Sequence, residues 1–240
     1  MQQSQSFRSQ VSISGAYVFL GKCVRYSLQY GTQLFLINLL LPSEFGLMRY
    51  VTILVGMASL INEMGLTTAI VQKQQLAAEE IAGCFTASMI WGLLLYIAVF
   101  LTAPVTALFF NNSQLVNYLR IGSLLIPVSS LCSVPRALLQ KQMRFGTLAS
   151  VEASAAVVSS VLMISLAFKG YGTWSLISGA LVQEVLSMTL LFFWTRVPGV
   201  NFRALLNSGN ILGTGIGLVL LRIVDYLRFS MPFFYYWEIV

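Results

Sequence analysis

Long apolar runs separated by brief polar breaks make up most of the chain. Seven stretches reach the length of about 20 mostly apolar residues that a bilayer-crossing helix needs: near 13–38, 46–66, 83–107, 116–135, 148–168, 173–195 and 210–230. Apolar and polar positions do not alternate within them, and only a helix satisfies its own backbone in hydrocarbon. Turn residues mark the breaks: Pro42-Ser43-Glu44, Asn111-Asn112-Ser113, Lys169-Gly170-Tyr171-Gly172 and Pro198-Gly199. Connections this short force neighbouring helices to run antiparallel. The pattern predicts an all-α, polytopic transmembrane helix bundle of about seven spans. No loop exceeds roughly a dozen residues, too few to build a core outside the membrane, so any site lies among the helices. The first run, from Val11, outlasts a signal-peptide core of about 7–15 residues, and no clear Ala-x-Ala site follows it. It reads as a retained span behind a polar tail, residues 1–12.

Composition agrees. Of the 240 residues, 57% are hydrophobic and only 9% charged, against about 25% charged in a soluble domain. The 14 basic and 8 acidic residues leave a balance of +6, but the basic residues fall between apolar runs and are not interleaved with aromatics in a polar segment. That distribution points to membrane topology and away from nucleic acid. With the N-terminus in the cytoplasm, the inner side receives Arg8, Lys73, Arg136, Lys141, Arg144, Arg196 and Arg203. The outer loops receive Lys169, with Arg49, Arg120 and Arg228 at or just within outer helix ends. The cluster Phe233, Phe234, Tyr235, Tyr236 and Trp237 suits the outer headgroup layer. The chain has no histidine, which removes Ser-His-Asp triads, HExxH zinc sites and histidine proton relays. Cys23, Cys84 and Cys132 lie in apolar stretches without metal or disulfide spacing and read as small packing residues. No cofactor and no metal is expected.

Polar residues inside the spans are the candidates for function. Lys22 and Arg25 lie on the order of 10 Å or more below the inner edge, where a charge costs about 2.5–3.5 kcal/mol on insertion scales. With Gln29 and Gln33 they recur at helical spacing and give the first span one polar, cationic face. Two readings stay open: the wall of a hydrated cavity for an anionic substrate, or an ion pair with Glu63 or Glu152 that holds helices together. Thr52, Gly56, Ser59 and Asn62-Glu63 share a face of the second span, as a second cavity wall or as small packing residues. Glu184, beside Gln183 deep in the sixth span, and Glu63, near an inner end, are candidate coupling or ion-pair carboxylates. Glu152 reads as structural. Gly213 and Gly217 at GxxxG spacing read as close packing or a bend, and Arg222 and Asp225 as a pair on one helix.

Several segments, taken in order, carry a resemblance. They are Pro42-Ser43-Glu44-Phe45-Gly46-Leu47, then Glu63-Met64-Gly65-Leu66 with Ala69-Ile70-Val71-Gln72. Next come Pro135-Arg136-Ala137-Leu138-Leu139-Gln140-Lys141 with Arg144-Phe145, and Gly170-Tyr171-Gly172-Thr173-Trp174-Ser175-Leu176. From about residue 8 to about 228 the chain resembles the bacterial polysaccharide transporter family. More narrowly it resembles the Wzx-type branch of O-antigen, colanic acid and teichuronic acid exporters. That branch belongs to the multidrug/oligosaccharidyl-lipid/polysaccharide flippase superfamily. The resemblance implies two helix bundles, each of about six helices, around a central cavity. It implies movement of a lipid-linked oligosaccharide, usually on undecaprenyl pyrophosphate, across the bacterial inner membrane for cell-surface polysaccharide or lipopolysaccharide biosynthesis. It brings no catalytic residues, only a cavity of cationic character, which Lys22 and Arg25 match. Against that family the chain is about half length. Residues 13–200 correspond to a six-helix N-terminal bundle, and residues 201–240 to the first helix of a second bundle, opened by Arg222-Ile223-Val224-Asp225-Tyr226-Leu227. Met231 to Val240 leave the pattern, as in a gene fragment, a frameshifted end or an incomplete record of a longer chain.

No nucleotide-binding motif is present, so an ion gradient, the membrane potential or downstream consumption must drive transport. Alternating access needs two bodies that rock about a shared site. The expectation is therefore that these residues alone do not transport, unless two copies pack their cavity walls as a homodimer. The rival readings are a drug or small-cation exporter of the same fold, which wants an anionic cavity; a membrane glycosyltransferase or polymerase, which wants large outer loops or acidic metal motifs; and a non-functional remnant. A reporter fused after Arg144 is expected to behave as cytoplasmic and one fused after Asn112 as external; the reverse pattern overturns the orientation.

Overall fold

The architecture comes from a computed structural model. It describes residues 21, 23–73, 77–195, 199–201 and 203–204, without the side chains of 59–69 and 72. The tail over 1–12, the start of the first span and the seventh span near 210–230 lie outside the described residues, with Gly213, Gly217, Arg222, Asp225, Arg228 and the aromatic cluster after Met231.

Every regular element among the described residues is a helix: α1 (23–37), α2 (Pro42–Gln72), α3 (Ala78–Phe109), α4 (Gln114–Gly122), α5 (Leu125–Lys141), α6 (Phe145–Phe168) and α7 (Thr173–Trp194). Four stretches among them are long and apolar enough to cross a membrane: Ala78–Phe109, Gln114–Lys141, Phe145–Phe168 and Thr173–Trp194. They coincide with the third to sixth expected spans. The expected second span is helical throughout, inside the longer α2. The expected continuous helix near 116–135 is instead broken at Ser123-Leu124 into α4 and α5. Pro127 explains the break, since its ring excludes the carbonyl of Ser123 from a helical bond and it has no amide to donate. The Ser123 hydroxyl donates to the Arg120 carbonyl at 2.9 Å and finishes the first piece.

Two helices begin with the same device at opposite ends of the bundle. Glu44 reaches back to accept from the Leu41 amide at 2.9 Å, with Pro42 as the first helical residue. Glu80 likewise accepts from the Ala77 amide at 3.2 Å. The turns sort into two rims. At one rim Lys73 pairs with Glu80, the Lys141 ammonium donates to the Lys73 carbonyl, and Arg144 lies over the Trp194 ring at 5.5 Å. There the Asn201 amide donates to the buried Thr86 hydroxyl at 3.1 Å. At the other rim Thr173 donates to the Glu44 carbonyl at 3.3 Å, Tyr50 meets Phe110 at 4.3 Å and Tyr118 meets Trp174 at 5.0 Å. Gly172 at this rim has φ +54°, a backbone conformation that a side chain would strain, and the Glu44 carboxylate lies over it.

The bundle is arranged around α5, which packs on α2, α3, α6 and α7. Its hydroxyls bond within their own helix: Ser129 and Ser130 donate to the Ile126 carbonyl at 3.0 and 2.7 Å, and Ser133 to the Ser130 carbonyl at 2.7 Å. Satisfied that way, small side chains let neighbours approach without leaving a polar atom bare. Gly92 of α3 uses this room; a Cβ there would fall 1.9 Å from Ser130 Oγ. Helix α1 joins from outside and runs parallel to α6, since Gly21 faces Ala149, Arg25 faces Glu152 and Phe35 faces Phe168. The outward faces are apolar, as lipid requires: Leu108, Phe109 and Phe193 are 77%, 80% and 83% exposed. Cys84 and Cys132 are buried as expected of packing residues, whereas Cys23 is exposed on α1.

Gly92→Ala is expected to force α3 from α5 and to cost about 1–3 kcal/mol of overpacking. The check is thermal unfolding in detergent, with Ser130→Gly added to recover most of the loss.

Candidate functional site

A cleft of about 680 Å³ opens between α1, α2, α6 and α7, and α5 touches it through Leu125. Helix α1 supplies Arg25, Gln29, Thr32 and Gln33, successive residues of one face. Helix α2 supplies Arg49, Thr52 and Gly56, again at helical spacing. Ser159, Ser160 and Met163 of α6 and Ala180 and Gln183 of α7 form the back wall. Two wall hydroxyls bond to their own helix: Thr52 donates to the Met48 carbonyl at 2.8 Å and Ser159 to that of Ala156 at 3.0 Å. Ser159 also lies 3.3 Å from the Gln183 side-chain oxygen, which ties α6 to α7 behind the cleft.

The charge of the lining has one sign. Among the described residues its charged members are Arg25 and Arg49, and no carboxylate lines it. Counting the rise along antiparallel α1 and α2 sets Arg49 level with Gln33, roughly 12 Å outward of Arg25. Two cations therefore sit at different depths, with Gln29, Gln33 and Thr52 along the way. Arg25 is only one-third exposed and is held from behind: its Nη1 donates to Glu152 Oε2 at 3.0 Å, and its buried Nε has no partner among the described residues. Glu152 also lies 3.8 Å from Arg136 Nε through its other oxygen. These groups are roughly 10 Å inside the first rim, counted from the start of α6. Another cation, Arg120 of α4, lies under the Phe100 ring at 4.6 Å, which screens it from the surroundings.

Arg25, Gln29 and Gln33 thus meet on one wall. Lys22 and the side chain of Glu63 lie outside the described residues, with Ser59 and Asn62. Glu184 is half-buried on α7 and is not part of the lining, whereas its neighbour Gln183 is. Of the two acidic partners open to Arg25, the one the described residues show is Glu152. Arg49, placed near an outer helix end by its sequence position, turns onto the cleft; Thr52 and Gly56 do the same. Ser159 and Ser160 carry no sequence signal, because serine is equally frequent as packing on the other faces of α6.

An all-helical bundle with an apolar exterior and a cleft inside defines a multi-pass membrane protein. The chain belongs to the polysaccharide biosynthesis protein family, whose model matches residues 35–232. It is similar to the succinoglycan biosynthesis transport protein ExoT of Rhizobium meliloti (strain 1021), at 26% identity over 213 residues, covering 89% of this chain and 43% of that protein. It is similar to the lipopolysaccharide biosynthesis protein WzxC of Escherichia coli (strain K12), at 24% identity over 191 residues, covering 78% and 39%. A third relative is the teichuronic acid biosynthesis protein TuaB of Bacillus subtilis (strain 168), at 26% identity over 102 residues, covering 42% and 21%. The chain spans less than half the length of each of these relatives. No solved structure matches it significantly.

The pairing of Arg25 with Glu152 carries a prediction of its own. Ala in place of Glu152 removes the carboxylate hydrogen-bonded to the part-buried Arg25, so a loss of about 3–5 kcal/mol in stability is expected. Denaturant titration of helicity in mixed micelles measures it; a loss below about 1 kcal/mol would mean that solvent screens the pair.

Proposed function

We propose that this chain is the substrate-handling helix bundle of a flippase. It would move a lipid-linked oligosaccharide or polysaccharide precursor across the bacterial inner membrane for cell-surface polysaccharide or lipopolysaccharide biosynthesis. One observation carries the reading: a cleft within the bundle whose charged lining is two arginines at different depths, joined by amides and hydroxyls. Guanidinium forks match phosphate oxygens, and amides and hydroxyls match sugar. The apolar exterior lets lipid tails stay in the bilayer while the headgroup crosses. The names of the relatives, a succinoglycan transport protein among them, support the substrate class. The cleft disfavours a small-cation exporter, since a cation would meet two like charges and no carboxylate in the described lining.

The remainder of the proposal is architectural. The six-helix bundle over 13–200 is the first of two, the N-terminus is cytoplasmic, and the chain holds about seven spans, the last opening the second bundle. The rim that carries Lys73, Lys141, Arg144 and Arg203, opposite the rim of Lys169, supports that orientation. Alternating access would proceed by one bundle rocking on another, with an undecaprenyl pyrophosphate carrier, no catalytic step and no cofactor. Lys22 extends the Arg25 wall toward the cytoplasm in this proposal, and Glu63 and Glu184 are its coupling carboxylates.

The test is an active exporter that contains this bundle. Arg25→Gln with Arg49→Gln is expected to reduce surface polysaccharide about 10-fold or more, from the loss of two charge-assisted contacts, with membrane abundance unchanged. Adding Lys22→Gln deepens the loss. Full export by the double variant would remove the two arginines from substrate handling.

A further inference from the structure

Tyr26 and Tyr30 of α1 are 49% and 62% exposed and stand one turn apart, with ring centroids 6.3 Å from each other. The register of α1 on α6 fixes their height: Arg25 meets Glu152, and Phe35 meets Phe168. Both tyrosines fall between those contacts, level with the middle third of α6, a helix long and apolar enough to cross a membrane. Tyrosine is common at a membrane surface, where its ring sits among lipid and its hydroxyl among headgroups. Halfway along a span that arrangement is lost, and an unbonded hydroxyl turned to lipid is costly. Among the described residues neither hydroxyl has a hydrogen-bond partner. The i, i+4 spacing accounts for the contact between the rings, but not for hydroxyls left open at this height.

Helical geometry sets the side of α1 that they occupy. At about 100° per residue, Tyr26 falls between Gln33 and Ile37, and Tyr30 about 20° beyond Ile37. Gln33 and Ile37 both line the cleft. The two rings therefore continue the cleft wall around α1 to its lip, before the exposed apolar face of Leu34 begins. Antiparallel α2 brings Thr52 level with Tyr30 and Gly56 level with Tyr26, by the same rise that sets Arg49 level with Gln33. Thr52 and Gly56 are small and line the cleft, and a Cβ at Gly56 would meet nothing within 4 Å. Two broad rings thus face an open wall of small residues, at heights between Arg25 and Arg49.

We propose that Tyr26 and Tyr30 form a stacking platform for a sugar ring of the lipid-linked headgroup, whose phosphates meet the arginines. A pyranose has an apolar C–H face and a rim of hydroxyls. Laid flat on a tyrosine, it turns its C–H bonds to the electron-rich ring face, while its rim reaches the phenol oxygens and the amides of Gln29 and Gln33. Both needs of the exposed tyrosines are then met by one ligand: the ring is covered and the hydroxyl is bonded. The inference rests on the reading of the cleft as a headgroup site. It adds that the sugar is recognised as well as the charge, on a part of α1 separate from Arg25.

The experiment is equilibrium binding to the purified chain in phosphatidylcholine discs, with helicity measured on every variant. Two probes share one lipid anchor and one pair of phosphates: farnesyl pyrophosphate and farnesyl pyrophosphoryl glucose. The unaltered chain is expected to bind the glucose-bearing probe on the order of tenfold tighter, the worth of one or two aromatic contacts. Tyr26→Leu with Tyr30→Leu keeps apolar bulk and removes the rings, and is expected to bring the two probes to equal affinity. Each single leucine variant gives a partial loss of the difference and serves if the double variant does not accumulate. Tyr26→Phe with Tyr30→Phe retains the rings and is expected to keep most of the difference. The platform is overturned if the unaltered chain binds both probes equally, or if the difference survives in the leucine variants. It is also overturned if the phenylalanine variant loses the whole difference, since the hydroxyls alone then carry the sugar. Arg25→Gln separates the two readings, because it is expected to weaken both probes alike. If it weakens neither, or the unaltered chain binds neither probe, the headgroup reading of the cleft falls and this inference with it. If it weakens both while the leucine variants leave their ratio unchanged, this inference alone is wrong.

Discussion

The hydrocarbon interior offers no hydrogen bonds, so each polar atom placed there must find its partner within the protein. Most of this structure follows from that constraint. The hydroxyls of α5 bond to the preceding turn of their own helix, which makes Ser130 small and electrically quiet toward α3. Gly92 then closes to a distance that no larger side chain permits. Close packing against a central helix substitutes for the hydrophobic force that is missing between helices in lipid. The exterior can be as apolar as Phe109 and Phe193 without any cost in solvation.

The cleft is the place where the constraint is relaxed. Gln29, Gln33 and Thr52 line open volume and so need not turn to lipid. Two arginines can be held there because one is backed by a carboxylate and the other lies toward the opposite rim on an exposed part of α2. A frame centred on α5 thus stands behind a polar wall built mainly from α1 and α2.

The sequence made the third to sixth spans legible because a bilayer fixes both the length and the apolarity of a crossing helix, and short loops leave little choice of boundary. The polar face of α1 was legible for a related reason: Arg25, Gln29 and Gln33 repeat at the helical period, and so many polar side chains on one face are rarely turned to lipid. What failed to show depended on neighbours far along the chain. Arg49 reads as a rim residue by its distance from Pro42, and only the position of α1 opposite it reveals the cleft. Arg136 reads as one more basic residue of an inner loop, because nothing local announces Glu152 beside it. Pro127 does signal a helix fault, yet the apolar run continues through it, and hydropathy alone joins α4 to α5. Serines on α6 that line the cleft and serines that pack are the same residue at the same period.

The parallel contact of α1 with α6 sets an order on how the molecule is made. Arg25 and Glu152 are 127 positions apart, so at 5–20 residues per second the carboxylate emerges roughly 6–25 s after the arginine. Through that interval the leading helix is in or near the bilayer with its cation uncompensated. Snorkelling toward the nearer headgroups is the cheap way to carry it, which holds α1 shallow or tilted until α6 has been threaded. Helix α1, synthesised before its partner α6, therefore docks late. A chain halted before residue 152 would present the cell's quality-control machinery with a membrane segment that has no resting place.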